Sequence, residues 1–227
     1  MRQGSVDVIL KGHISTPILN REMLRIRTRN TISLVTLFDA APIAGGRPLL
    51  LTDPGVTTIV DADRMAGLIR NAVDVAHRIL GLARPRVALL SANEKVIPSL
   101  PSTALAEALS ARAWPDAAVH GPLSFDLAVS PASVRLKEVA LDGVAAEVAG
   151  QADVLVCPGL DAANILYKVI MEMARYGLGS LAGITVGVLV PYVILSRADS
   201  VETRLLSLAL GSIARARLPV EPLVGPS

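Results

Sequence analysis

The sequence predicts an α/β fold. Short apolar runs alternate with helical patterns, the signature of a largely parallel sheet covered by helices. Leu, Val, Ala and Ile are spread in short runs, as strands buried on both faces require. A chain of 227 residues that is 52% hydrophobic has ample material for a core, in one large α/β domain or two small ones.

Taken in order, the predicted strands are Val6–Leu10, Thr31–Phe38, Pro48–Thr52, Arg86–Ser91, Val154–Cys157 and Gly187–Leu195. The predicted helices are Pro17–Arg27, Ala62–Leu80, Ser102–Ala113, Ala163–Tyr176 and Val201–Ala214. Each helix shows apolar residues at a 3.6-residue spacing, and each strand is a short apolar run. The segment Arg112 to Gly150 parses poorly, as a short strand with a helix around Ala132–Ala140. The Pro/Gly-rich tail Leu218–Ser227 is expected to fray.

Composition excludes several classes. The most apolar stretch, Ile184 to Leu195, is broken by Gly187 and Pro191 and is too short to span a bilayer. No signal peptide is visible, and a lone cysteine, Cys157, rules out an intrachain disulfide framework and fits a reducing cytoplasm. The formal net charge is +2 and aromatic residues make up 3%, so nucleic-acid binding has little support. Arg21, Arg25, Arg27 and Arg29 are a local excess that reads either as a solvated helix end or as an anion attractor. His13, His77 and His120 have no metal-ligand spacing with Cys157 or with carboxylate pairs, so no metal is expected.

Polar residues gather in the loops after the strands: Lys11–Pro17, Thr52–Gly55, Ser91–Lys95, Pro158–Asn164 and Ser196-Arg197. Ligands in open α/β sheets sit beyond the carboxyl ends of the strands, so five such loops predict a shared cleft. Ser196-Arg197-Ala198-Asp199-Ser200 runs from an apolar strand into a helix. A helix N-terminus suits an anion, and an Arg fork can grip phosphate oxygens in pairs. Asp199 with Glu202 has capping-box spacing, and Ser200 is a second possible cap. The Ser15-Thr16 pair before Pro17 either holds an anion or simply caps a helix. Asn164 and Lys168 share a helix face, as ligand contacts or as a stabilising polar pair. Asp126 either orients a substrate or caps a helix, and Cys157 at a strand end reads as buried filler.

Together these segments resemble the phosphate acetyl/butyryltransferase family, in its butyryltransferase-like branch. The resemblance is carried by Lys11-Gly12 with Ser15-Thr16, Leu51-Thr52-Asp53, Asn71-Ala72-Val73 and Pro85 to Val96. It continues through Pro101-Ser102-Thr103, Gly121 to Asp126, Ala149 to Leu155, Asn164 with Lys168, and Ser196 to Ser200, in order and nearly end to end.

That resemblance implies a two-lobed isocitrate/isopropylmalate dehydrogenase-like fold with an interlobe cleft. Residues 1–57 plus 187–227 would form the first lobe and 58–186 the second. It implies reversible transfer of a short acyl group, butyryl or alternatively acetyl, between coenzyme A and phosphate by direct attack in a ternary complex. Coenzyme A is then a substrate, with no further cofactor, in a cytoplasmic homodimer or larger oligomer that engages neither nucleic acid nor membrane. Arg197 would bind the phosphate and Ser196 would stabilise charge on the carbonyl oxygen. Thr16, Arg21, Thr52, Asp53, Asp126, Asn164 and Lys168 complete the expected substrate-binding set.

The chain also departs from the pattern. Thr203 occupies the position where the acetyltransferase branch carries an aspartate, leaving the base unassigned, and His120 and Leu34 replace an aspartate and a histidine of the butyryltransferase pattern. With Met1 just before the Lys-Gly strand, the family's opening βα units are expected to be absent. A sheet edge is therefore expected to be exposed, unless another chain covers it. A catalytically weak homologue that binds acyl-CoA or forms oligomers is the alternative from another class. A metal- and NAD-dependent dehydrogenase of the same fold is disfavoured by the lack of a carboxylate cluster and nucleotide loop.

Overall fold

The structure is a computed structural model and describes residues 6–137, 141–194, 196 and 198–224. In chain order its elements are β1 (Ile9–Leu10), α1 (Thr16–Leu24), β2 (Ser33–Ala40), β3 (Leu49–Thr52), α2 (Ala62–Leu80), β4 (Arg86–Leu90), α3 (Pro101–Ser110) and β5 (Ala118–Leu123). There follow α4 (Phe125–Val129), α5 (Pro131–Leu136), α6 (Gly143–Val148), β6 (Val154–Val156), α7 (Leu160–Arg175), β7 (Gly179–Val186), β8 (Tyr192–Val193) and α8 (Val201–Arg217).

Local chemistry explains the long helices. The α2 helix begins where the Asp61 carboxylate accepts from the Arg64 N–H at 2.8 Å and ends at Gly81, which takes a left-handed φ of 72°. Its Met65, Leu68, Ile69, Ala72, Val73 and Ala76 are buried, the stripe that the periodicity required. The α8 helix is capped by Ser200, whose hydroxyl accepts from the Thr203 N–H. Asp199, the other candidate cap, faces the interior instead.

The strands form one mixed eight-stranded sheet in the order β1-β8-β7-β2-β3-β6-β4-β5. It is less parallel than expected: β2 pairs antiparallel with both β3 and β7, and β7 with β8. The parallel half is β3-β6-β4-β5, joined by α2 between β3 and β4, α3 between β4 and β5, and α4 to α6 between β5 and β6. Alternation splits the core between two faces. Leu50, Val87, Leu89, Val154 and Val156 pack with α2, α3 and α8. Leu49, Leu51, Ala88, Leu90 and Leu155 pack with α4 and α7.

Two strands were misread. The predicted strand Gly187–Leu195 is a turn with a two-residue strand, because Gly187 has φ 89° and Pro191 cannot donate to a ladder. Leu195 lies outside the described residues. The long partner of β2 is instead β7, whose Gly and Ser residues hide its strand character. Close packing selects the glycine at 179, where a Cβ would come within 2.0 Å of the Asp39 carbonyl oxygen. The unpaired part of β7 is covered by α8, whose Ser207 hydroxyl accepts from the Gly183 N–H at 3.0 Å.

The C-terminal tail is pinned over the residues described. Arg29 donates to both Glu221 carboxylate oxygens (2.8 and 2.6 Å), and the Val224 N–H donates to the Arg27 carbonyl at 2.9 Å. Residues 225–227 lie outside the description, as do 138–140 at the end of the expected Ala132–Ala140 helix. Among the described residues, no helix is long and apolar enough to cross a membrane.

Candidate active site

Strand direction divides the polar loops. β1 and β8 run opposite to β3, β6, β4 and β5, so their carboxyl ends lie at the opposite end of the strands. The loops after β3 and β8 are joined by a helix. Leaving β6, α7 runs back across the sheet, and Asn164 Nδ2 donates to the Pro54 carbonyl at 2.9 Å. One turn on, Lys168 Nζ donates to Ser196 Oγ at 3.1 Å. The structure thus brings together three of the predicted residues: Asn164, Lys168 and Ser196.

The Ser196 hydroxyl is strongly constrained. Its oxygen also accepts from the Ala198 N–H at 3.4 Å, so both lone pairs are engaged and its proton is the capacity left to offer. The Ser196 N–H donates to the Asp199 carboxylate at 2.6 Å, and the Tyr167 hydroxyl donates to the other oxygen of that carboxylate at 3.3 Å. Asp199 is buried. Burial, reinforced by the Asp199 carboxylate, raises the Tyr167 pKa, so the phenol remains a donor at neutral pH. A fourth tie runs from the Arg175 guanidinium to the Ala198 carbonyl. Predicted Arg197 lies outside the described residues.

The other predicted residues lie elsewhere. Thr16 opens α1 and Arg21 is exposed on it, in a segment tied to β8 through the Lys11 N–H on the Val193 carbonyl at 3.0 Å. Thr52 and Asp53 are buried, and their side chains are engaged internally. Thr52 Oγ1 donates to the Leu34 carbonyl at 3.2 Å, and the Asp53 carboxylate accepts from the N–H groups of Leu34, Gly55, Val56 and Thr57. Burial raises the Asp53 pKa against the pull of those bonds.

Asp126 belongs to a separate cluster beyond β4 and β5, where Lys137 binds it at 3.0 Å and Glu94 bonds to Ser124. β5 is six strand spacings from β8, roughly 29 Å along the sheet. Asp126 and Glu94 are held below the usual carboxylate range against the opposing effect of burial, by bonds from Lys137 and Ser124 for Asp126 and from Ser124 for Glu94.

Several residues prove structural. Burial pushes the Cys157 thiol up to about 12, which removes it as a nucleophile. Thr203 is buried in the first turn of α8, where its hydroxyl oxygen accepts from Ser200 at 3.0 Å. The arginine excess is dispersed into pairs: Arg25 binds Glu22 at 2.8 Å, and Arg29 binds Glu221, Asp74 and Asn71. Asn71 is itself buried, donating to the Thr31 carbonyl and Ser33 hydroxyl.

Volume and chemistry point to different places. A roomy groove of about 1080 Å³ is lined by Arg64, Arg70, Arg112 and Trp114 and lies away from Ser196. Its arginines are already partnered, Arg64 by Asp61, Arg112 by Asp63, and Arg70 by the Trp114 ring at 5.8 Å. A charge-balanced groove offers an anion little, so the Ser196 loop is the better site. Sequence reasoning missed Tyr167 entirely and read Asp199 as a cap. Tyr167 adjoins Lys168 in the chain, and that adjacency was the available signal.

Comparison with known proteins identifies the family. The family model described as Phosphate acetyl/butaryl transferase matches residues 1–211. A phosphate acetyltransferase of Rhizobium meliloti is 35% identical over 225 residues, 96% of this chain and 68% of that protein. A phosphate butyryltransferase of Clostridium acetobutylicum is 34% identical over 218 residues, 92% of this chain and 69% of its own. A branched-chain phosphotransacylase structure from Enterococcus faecalis V583 superposes with a TM-score of 0.82 at 34% identity, covering 94% of this chain and 75% of that one.

Proposed function

Because the chain belongs to the phosphate acetyl/butaryl transferase family, we propose that it transfers a short acyl group between coenzyme A and phosphate. The observation that carries this reading is the Ser196 hydroxyl, whose oxygen is held by Lys168 and Ala198 with its proton left to donate.

In the forward direction a phosphate oxygen attacks the thioester carbonyl carbon. The C–O bond forms, the C–S bond breaks, and the sulfur leaves as a thiolate that takes up a proton to give free coenzyme A. Ser196 donates to the carbonyl oxygen as it gains charge, and Arg197 grips the phosphate. Holding two anionic reactants in line and neutralising their charge supplies most of the catalysis, so no covalent acyl-enzyme is needed. Thr203 cannot exchange that proton at neutral pH, so the proton that the thiolate takes up comes from solvent or from the attacking phosphate. We assign butyryl as the preferred chain, with acetyl as the alternative, and the cytoplasm as the compartment. The roles of Arg197, Thr16, Arg21 and Asn164 in shaping the site follow the resemblance, whereas Thr52 and Asp53 would act through their internal bonds and Asp126 from its separate cluster.

The same reading divides the chain into two isocitrate/isopropylmalate dehydrogenase-like lobes, 1–57 with 187–227 and 58–186, assembled as a homodimer or larger. The expected behaviour is phosphate-dependent release of free thiol from butyryl-, acetyl- or propionyl-CoA, lost in Arg197→Ala. Absence of phosphate-dependent thiol with all three thioesters refutes the enzyme reading and leaves an acyl-CoA-binding homologue.

A further inference from the structure

Two neighbouring side chains on α7 grip one short loop. Successive helical residues point about 100° apart, so Tyr167 and Lys168 reach the loop from different sides. Lys168 meets the Ser196 hydroxyl, while Tyr167 meets Asp199, whose carboxylate holds the Ser196 backbone N–H. Asp199 is 6% exposed and lies directly before the helix cap Ser200, so the cap does not need its side chain. A buried carboxylate is costly unless hydrogen-bonded, and here its described bonds run to the residue proposed for chemistry and to α7.

We propose that Tyr167 and Asp199 are positioning residues that fix the backbone of Ser196, and with it the direction of its hydroxyl proton. This inference rests on the acyltransferase reading of Ser196. Neither residue touches the reacting atoms; both act through the serine. A hydroxyl aimed at a developing oxyanion must be fixed to within about 0.5 Å to deliver its full effect. Ser196 lies between β8 and α8, in neither element, and backbone outside a helix or ladder has more freedom than that. The carboxylate removes it, and the phenol keeps the carboxylate from turning away.

A double-mutant cycle tests the proposal. Tyr167→Phe, Ser196→Ala and the double variant are compared by thiol release with the fastest of the three thioesters, alongside thermal unfolding. Losing one hydrogen bond to a charged group predicts that Tyr167→Phe lowers kcat about tenfold, with KM for phosphate and thioester within about twofold. In the Ser196→Ala background the same change has no further effect on kcat. An equal fractional loss in both backgrounds overturns the positioning role while leaving Ser196 its part in catalysis. So does a change in KM alone, or wild-type kcat in Tyr167→Phe. Wild-type kcat in Ser196→Ala instead overturns the catalytic assignment of Ser196, and this proposal with it. Should Tyr167→Phe not fold, Asp199→Asn enters the same cycle, and its loss must likewise vanish when Ser196 is absent.

Discussion

Replacing Lys168 by Met tests the hydroxyl contact directly. The lysine Nζ lies 3.1 Å from Ser196 Oγ, and Met keeps most of the stem while removing the donor. A hydrogen bond to a charged group contributes about 1.5–3 kcal/mol net. At about 1.4 kcal/mol per decade this is roughly ten- to hundredfold in rate. Lys168 is only half-buried, so water competes for the contact and the lower end applies. The expected result is a kcat lowered about tenfold, with Lys168→Arg recovering part of it because a donor is kept. If Lys168 bound substrate rather than serine, KM for phosphate or thioester would rise while kcat held. Steady-state thiol release over both substrates separates the two. A Lys168→Met protein that unfolds like the wild type and keeps kcat within about threefold refutes the assignment.

The remaining predictions concern stability. Asp153 is buried and accepts from Arg86 at 2.8 and 2.9 Å and from Arg47 at 2.8 Å, tying together the segments that lead into three strands. Asp153→Ala leaves two guanidinium groups without their carboxylate and should cost about 3–5 kcal/mol in urea unfolding, with a loss under about 1 kcal/mol counting against it. Gly67→Ala sets helix propensity, worth up to about 1 kcal/mol, against a Cβ that would lie 2.2 Å from Thr31 Oγ1. Sterics win, and the unfolding free energy should fall by about 1–3 kcal/mol rather than rise. The hydrogen bond from Arg29 holds the Glu221 pKa below the ordinary glutamate value, with burial opposing. A depressed carboxylate stabilises fully above its unfolded pKa, about 4.3, and that stabilisation is lost as pH falls through the lower folded value. Glu221→Gln should therefore flatten the acid limb of a Tm-against-pH curve below about pH 5, and an unchanged limb would contradict the pairing.

What the sequence made legible follows from which interactions were local. The α2 helix, bounded at Ala62 and Leu80 as its periodicity and caps dictated, depends on contacts within a few residues. β7 was invisible because Gly179, Gly183 and Ser180 have no strand preference of their own. Gly179 and Ser180 are chosen by what lies against them: the Asp39 carbonyl oxygen and the Asp39 carboxylate. β5 was obscured in the same way, since Gly121 leaves room for Leu89, whose carbonyl a Cβ would approach to 2.5 Å.

The site divides along the same line. Ser196 was flagged because a hydroxyl entering a helix N-terminus is a local pattern, and Asn164 with Lys168 because their spacing is helical. That Lys168 meets Ser196, 28 residues away, required the reversal of strand direction at β2 and β7 that sends β8 back along α7. Asp53 and Asp199 show the converse. An aspartate in a loop reads from sequence as a ligand or a cap, yet Asp53 accepts from four backbone N–H groups and Asp199 from Ser196 and Tyr167. Both side chains organise loops that carry other groups. Their substitution should therefore act through the geometry of those loops, and the cycle with Ser196→Ala can separate that mode of action from direct binding.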